Sequence, residues 1–311
     1  MDAITFLQFD FPSILLGSLA ALGCGLLGNF LVLRRQSLMG DAISHVVLPG
    51  IVLGFLVTGT VDSLPMMLGA GVAALISVGL IELIRRLGRV EPGAAMGVVF
   101  TSMFAAGVLL LEQSGAGGVH LDVEHALYGN LESAVWLEAT GFGDLLRPEI
   151  LADLPVSVTR LAVVNLAIVA FVALLYKELK LVSFDPLFAD TLGISSRLVG
   201  TLLIVMVAVA AVAAFDAVGS ILVIAMFICP AATARLMTDR LGTQLWISAG
   251  VAVASGILGY FAAALGPQLL GVDMSVSAAG MIAVVAGLFQ TVAMLLAPRY
   301  GVLARRRLQR V

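Results

Sequence analysis

Charge is scarce in this chain. Asp, Glu, Lys and Arg together make up 12% of 311 residues, against about 25% in an ordinary soluble domain. Hydrophobic residues make up 60% and the mean hydropathy is +1.10. A soluble globular chain is excluded, and the composition is that of a polytopic membrane protein. Cysteine is also sparse. Cys24 and Cys229 both lie inside apolar runs, which excludes a disulfide framework or a zinc finger and leaves two small packed hydrophobes. The only lysines are Lys177 and Lys180, and no G-x-x-x-x-G-K-[ST] occurs. The chain is therefore no P-loop ATPase on its own. No H-E-x-x-H is present, so an intramembrane metalloprotease has no motif to stand on. Basic stripes interleaved with aromatics are missing too, which leaves nucleic acid without a footprint.

What the chain has is a series of apolar runs near the 20 or so residues that a span requires. These predict helices at Pro12–Leu33, Asp41–Thr58, Pro65–Leu87, Gly93–Leu111, Val158–Tyr176, Leu198–Phe215, Val218–Met237, Thr243–Leu265 and Ser275–Leu295. That is nine, in an all-α, multi-pass fold that forms one transmembrane domain over residues 1–311. The sixth and seventh are separated only by "FDAVG", so eight is the alternative. The first run follows Asp2 and Asp10 with no basic stretch before it, and reads as a retained span rather than a cleaved signal peptide.

Arginine and lysine set the orientation. Arg34 and Arg35, then Arg85, Arg86 and Arg89, then Lys177, Lys180 and Arg197 follow alternate spans. Arg235, Arg240 and the arginine-rich C-terminus continue the pattern. Nine spans put all of these in the cytoplasm, with the C-terminus inside and the acidic loop of about residues 112–156 outside. Arg147 and Arg160 are the exceptions.

Four stretches could carry chemistry. In "GDAISHVVLPG", Asp41 and His45 are four residues apart and share one helical face. They could converge on a divalent cation or a proton, or be a helix-start carboxylate paired with Arg34 or Arg35 beside a core histidine. Pro49 removes the N–H that would bond the carbonyl of residue 45, and Pro230 does the same for Met226. Asp216 in "AFDAVGS" could line a pathway or mark an external turn, and the turn is the preferred reading. "HLDVEHALYG" gathers His120, Asp122, Glu124 and His125 in the external loop, as a solvated segment or a surface that attracts cations. In "FDPLFADTLGIS", Asp185 is an N-cap, Pro186 a first helical residue and Gly193 a stop. They enclose a helix of about two turns whose apolar contacts are Phe184, Leu187, Phe188 and Leu192. It is too short to span or to stand alone in water, so it must dock on something.

"NFLVLRRQSLMGDAISHVVLPGIVLGF", "FDPLFADTLGIS" and "VGSILVIAMFICPAATARLMTDRLG", in that order, resemble the permease subunits of bacterial ABC importers for manganese, zinc or iron. The resemblance covers essentially the whole chain. It implies a permease that is not itself an enzyme, with no resident cofactor and a divalent metal as cargo. It implies a place in the cytoplasmic (inner) membrane and three kinds of protein partner: a separate ATPase, an extracytoplasmic metal-binding protein, and a second permease chain, identical or related. Residues of about 184–194 would be the coupling helix that docks on the ATPase. Asp41 and His45 would hold the cation in the pathway, and the loop around His120 would face the binding protein. The alternative from another class is a proton-coupled secondary metal transporter that needs no ATPase.

Overall fold

The computed structural model describes residues 3–59, 63–113, 131–141, 143–144, 147–151, 153–269, 271, 276–298 and 300–302, and among these there is no strand. A π-helical turn at Phe6–Asp10 runs into α1, Phe11–Leu33. Then come α2 (Met39–Thr58), α3 (Ser63–Gly88) and α4 (Pro92–Gln113). Further along the chain follow α5 (Val156–Leu174), α6 (Tyr176–Phe184), α7 (Pro186–Thr191) and α8 (Ser196–Met237). The chain ends on α9 (Leu241–Leu269) and α10 (Ala278–Leu296).

The expected apolar runs overlap these helices, the sixth and seventh sharing α8. Among the described residues seven helices are long and apolar enough to cross a membrane, and Pro49–Thr58 and Leu222–Met237 are shorter apolar helices. One element was not anticipated. The expected fifth run breaks at Leu175, and the polar stretch after it is α6, which buries Leu179 and Val182.

The centre of the bundle is α8, which packs on α1, α2, α3, α5, α9 and α10. Its middle is nearly all alanine and valine and is buried over most of its surface: Ala210, Ala211, Ala213 and Ala214 are no more than 4% exposed, while Val209 is exposed. A helix so enclosed needs small residues so that neighbouring backbones can come close. It is not straight. Gly200 backs on the Arg34 guanidinium, while Phe227 lies against Gly28 and Gly40. Gly28 and Arg34 are only about 9 Å apart along α1, whereas a straight helix from Gly200 to Phe227 would run about 40 Å. The chain must bend sharply between them, and it does so at Gly219, where φ is 75° and ψ is 169°. The two arms are Ser196–Phe215 and Leu222–Met237.

Asp216 has helical backbone three residues before that bend. Phe215, Ala217 and Val218 beside it are all buried. The turn expected at "FDAVG" is therefore present as a bend packed inside the chain's own helices rather than as an exposed loop.

α1 and α9 run antiparallel and are tied by buried polar contacts. Gln244 Nε2 donates to Asn29 Oδ1 at 2.9 Å and Ser248 Oγ to the Gly25 carbonyl at 3.1 Å. At the other end Tyr260 Oη donates to Asp10 Oδ1 at 2.6 Å. Part of the segment between α4 and α5 is held there as well. Trp136 and Ala139 pack on Leu7, and Trp136 Nε1 donates to the Ile150 carbonyl at 3.2 Å.

Gly219 occupies a backbone region that only glycine enters without strain. Gly219→Ala should destabilise the protein by about 1–3 kcal/mol. Gly71→Ala on α3, where an added methyl meets nothing within 4 Å, should be neutral or slightly stabilising. Thermal unfolding of the two variants in detergent checks the contrast; equal midpoints would refute the strain at the bend.

Candidate functional site

The Asp41–His45 pair lies at the start of α2. Helix α2 opens at Met39, so Asp41 stands in its first turn and His45 one turn further along the same face. The imidazole is half-buried between two rings of α4. Its centroid is 5.3 Å from Phe100, tilted by 35°, and 5.8 Å from Phe104, edge-on at 82°. Ala42, Ile43 and Val46 turn into the core at 4%, 0% and 1% exposure. The face that carries His45 is thus the one packed on α4.

Pro49 fixes that packing. A methyl at Gly107 of α4 would come within 2.8 Å of Pro49 Cδ, so glycine lets the proline ring press on the α4 backbone one turn beyond the histidine. α3 is equally close on another side, where Gly50 and Gly69 meet backbone to backbone. The imidazole can offer one nitrogen to a cation, and the residue 45 carbonyl lacks the N–H that Pro49 would otherwise supply. Among the described residues no cluster of three or more His, Cys, Asp or Glu side chains is placed to hold a metal ion. A cation here would need ligands beyond this pair. The Arg34 guanidinium lies against Gly200 and beside Arg85.

The short helix α7 is built as its residues imply. Asp185 Oδ1 accepts from the Phe188 amide at 2.9 Å, Pro186 is the first helical residue, and Gly193 leaves at φ 80°. Phe184, Leu187, Phe188 and Leu192 are exposed by 54%, 79%, 52% and 59%. Leu187 and Phe188 project from the six-residue helix itself, with Phe184 just before it and Leu192 at its C-cap, so four exposed apolar side chains gather here and need a cover. A contact invisible in the sequence ties this helix to the core. Asp190 Oδ1 accepts from the Ser196 amide at 2.8 Å and Oδ2 from Ser196 Oγ at 2.9 Å. α7 is thereby clamped to the first residue of α8.

His120, Asp122, Glu124 and His125 lie outside the described residues. Sequence reasoning passed over the buried polar set Asn29, Gln244 and Ser248, because its partners are more than 200 positions apart. It took Arg85 and Arg197 as orientation markers only, and Arg34 as a marker or a partner of Asp41, whereas all three line one cleft.

Apolar helices packed around a bent central helix, with a short helix that exposes apolar side chains at one end, are the architecture of a membrane transport subunit. The chain belongs to the ABC 3 transport family, which matches residues 7–139 and 142–297. It is 40% identical over 300 residues to the manganese transport system membrane protein MntD of Bacillus subtilis, covering 96% of each chain. It is 38% identical to the zinc transport system membrane protein TroD of Treponema pallidum, covering 94% of this chain and 75% of that one. The solved structure of PsaBC from Streptococcus pneumoniae in complex with Fab has a chain that matches with a TM-score of 0.75 at 28% identity, over 98% of both chains.

The Ser196 amide and hydroxyl hold the Asp190 carboxyl below the ordinary carboxylate range. A depressed carboxyl contributes stability above its unfolded pKa and loses it as pH falls through the lower folded value. The clamp should therefore be intact at neutral pH and open only in strong acid. In Asp190→Ala the peptide around Ser196 should exchange its amide hydrogens about tenfold faster at pH 7. Hydrogen exchange read by mass spectrometry tests this, and unchanged protection would show that the clamp is not what holds α7.

Proposed function

We propose that this chain is the membrane-spanning subunit of an ATP-driven importer for divalent transition metals: manganese, zinc or iron. The observation that carries the proposal is the full-length relationship to manganese and zinc transport proteins, joined to the Asp41–His45 pair on one face of α2. The chain crosses the membrane nine times, with Leu222–Met237 as a short crossing after the bend and the C-terminus in the cytoplasm. Two such chains, identical or related, form the pathway.

An extracytoplasmic binding protein delivers the ion to the face that includes the loop around His120, Asp122, Glu124 and His125. Asp41 and His45 hold the ion in transit. Asp216, next to the bend, is a secondary candidate on the same route. A nitrogen and carboxylate set suits Mn, Fe and Zn and disfavours Cu(I). Holding must stay weak for release, so each chain supplies an incomplete ligand set. This agrees with a histidine packed between two rings, where the described residues hold no cluster of three or more His, Cys, Asp or Glu side chains.

ATP is hydrolysed by a separate subunit that covers the apolar side chains of α7. Its closure moves α7, and the Asp190–Ser196 clamp passes the motion into α8. Access to the ion then switches from one side to the other.

In cells without other importers, Asp41→Ala combined with His45→Ala should lower radiolabelled manganese or zinc uptake about tenfold or more. The variant should still co-purify with its ATPase. Undiminished uptake would remove the pair from the pathway. Asp185→Ala with Pro186→Ala should give the converse result, a chain that inserts in the membrane but no longer retains the ATPase. Retention by that variant would remove α7 from the coupling interface.

A further inference from the structure

A cleft of about 570 Å³ opens where α1, α3 and α8 end, roofed by Pro186 of α7. Among the described residues, Arg34, Arg35, Arg85, Arg86 and Arg197 line it, against one carboxylate, Glu82. That carboxylate is already shared, with Arg85 at 2.9 Å and Arg86 at 2.7 Å. Positive charge is therefore left over in a partly enclosed space, which is costly unless an anion enters.

Three polar atoms of the lining are enclosed and make no hydrogen bond: Arg34 Nη1, Ser183 Oγ and Gln36 Oε1. Gln36 is only 7% exposed. Its amide oxygen and nitrogen are interchangeable by a flip, so all three positions can present a donor. Burial and the neighbouring Arg85 lower the pKa of Arg34. The N-terminus of α8 opens on the same cleft through Ser196 and Arg197, adding the positive end of a helix dipole.

The height and shape of the cleft favour one source of anion. The spans ending at Leu33 and Gly88 and the one starting at Ser196 all terminate at it. It therefore lies at the level of lipid headgroups. A second cleft of about 290 Å³ shares Glu82, Arg85, Arg86, Thr201 and Ile204 with the first. It continues past Met39, Val78, Gly79, Ile81 and Leu83. A charged mouth that runs into an apolar groove fits a molecule with a phosphate at one end and a hydrocarbon chain at the other.

We infer that this cleft is a phosphate-binding site whose occupant is the headgroup of an anionic phospholipid, with an acyl chain in the adjoining groove. The phosphate oxygens accept from the arginines and from Ser183 and Gln36. Through Pro186 the site touches the element next to the ATPase-facing patch, so lipid binding and α7 share one wall.

The test uses the full chain in detergent, titrated separately with short-chain phosphatidylglycerol, short-chain phosphatidylcholine and inorganic phosphate. The readouts are thermal unfolding and native mass spectrometry. Phosphatidylglycerol should raise the unfolding temperature and remain bound, while phosphatidylcholine should do neither. An equal shift with inorganic phosphate would keep the phosphate site and assign it a free anion. No shift with either anion would overturn it.

In Arg34→Gln with Arg85→Gln the affinity for phosphatidylglycerol should fall about tenfold or more. The lipid-free variant should be at least as stable as the parent, because the uncompensated charge is gone. A merely structural pair would lower that stability instead. If this variant does not fold, Arg86→Gln with Arg197→Gln, both at exposed positions, should still weaken binding several-fold. Undiminished binding in either variant would overturn the proposal.

Discussion

Backbone contact at glycine is the constraint on which this bundle rests. Lipid gives apolar helices no reason to leave it for one another, so association depends on close packing. Side chains on both partners would prevent that. Gly28 lies under the Phe227 carbonyl, Gly50 and Gly69 face each other, and Gly259 lies on the Ile282 backbone. The alanine-rich middle of α8 fits between its neighbours for the same reason. Polar pairs such as Asn29 with Gln244 can then form at depth, since each supplies the partner that lipid cannot.

The placement of His45 follows from this packing. Gly107 admits the ring of Pro49, and that contact sets α2 against α4 at a distance where Phe100 and Phe104 flank the imidazole. The rings limit how the imidazole turns. Polar groups elsewhere are distributed by level: Asp10 with Tyr260 at one end of α1, Asn29 with Gln244 near the other, and the arginines beyond it. The charged groups concentrate where the spans end, as the cost of burying charge in hydrocarbon requires.

Much of this was legible in the sequence because membranes impose lengths. The apolar runs became helices, and Asp185, Pro186 and Gly193 announced α7 through local cap chemistry that needs no distant partner. The break near "FDAVG" was legible as well, but not its buried setting, which depends on which helices surround it. Three kinds of feature were not legible. The Asp190–Ser196 clamp joins side chains across a turn. Asn29 and Gln244 meet only once α1 and α9 are antiparallel. The arginine cleft assembles Arg34, Arg85 and Arg197 from three helices that only the tertiary fold brings together. Pattern reading sees periodicity and caps, and it has no access to contacts between remote segments.

The clamp has a mechanical consequence. α7 is fastened by two hydrogen bonds to the foot of a rod, the arm Ser196–Phe215, about 30 Å long. The rod ends near a glycine bend that closes it off from the second arm. Such an arrangement is a lever. A tilt of about ten degrees at the foot displaces the far end by roughly 5 Å, on the scale of one helical turn. The gain of the device is set by the arm length, and its fulcrum by where α1 and α5 grip the rod.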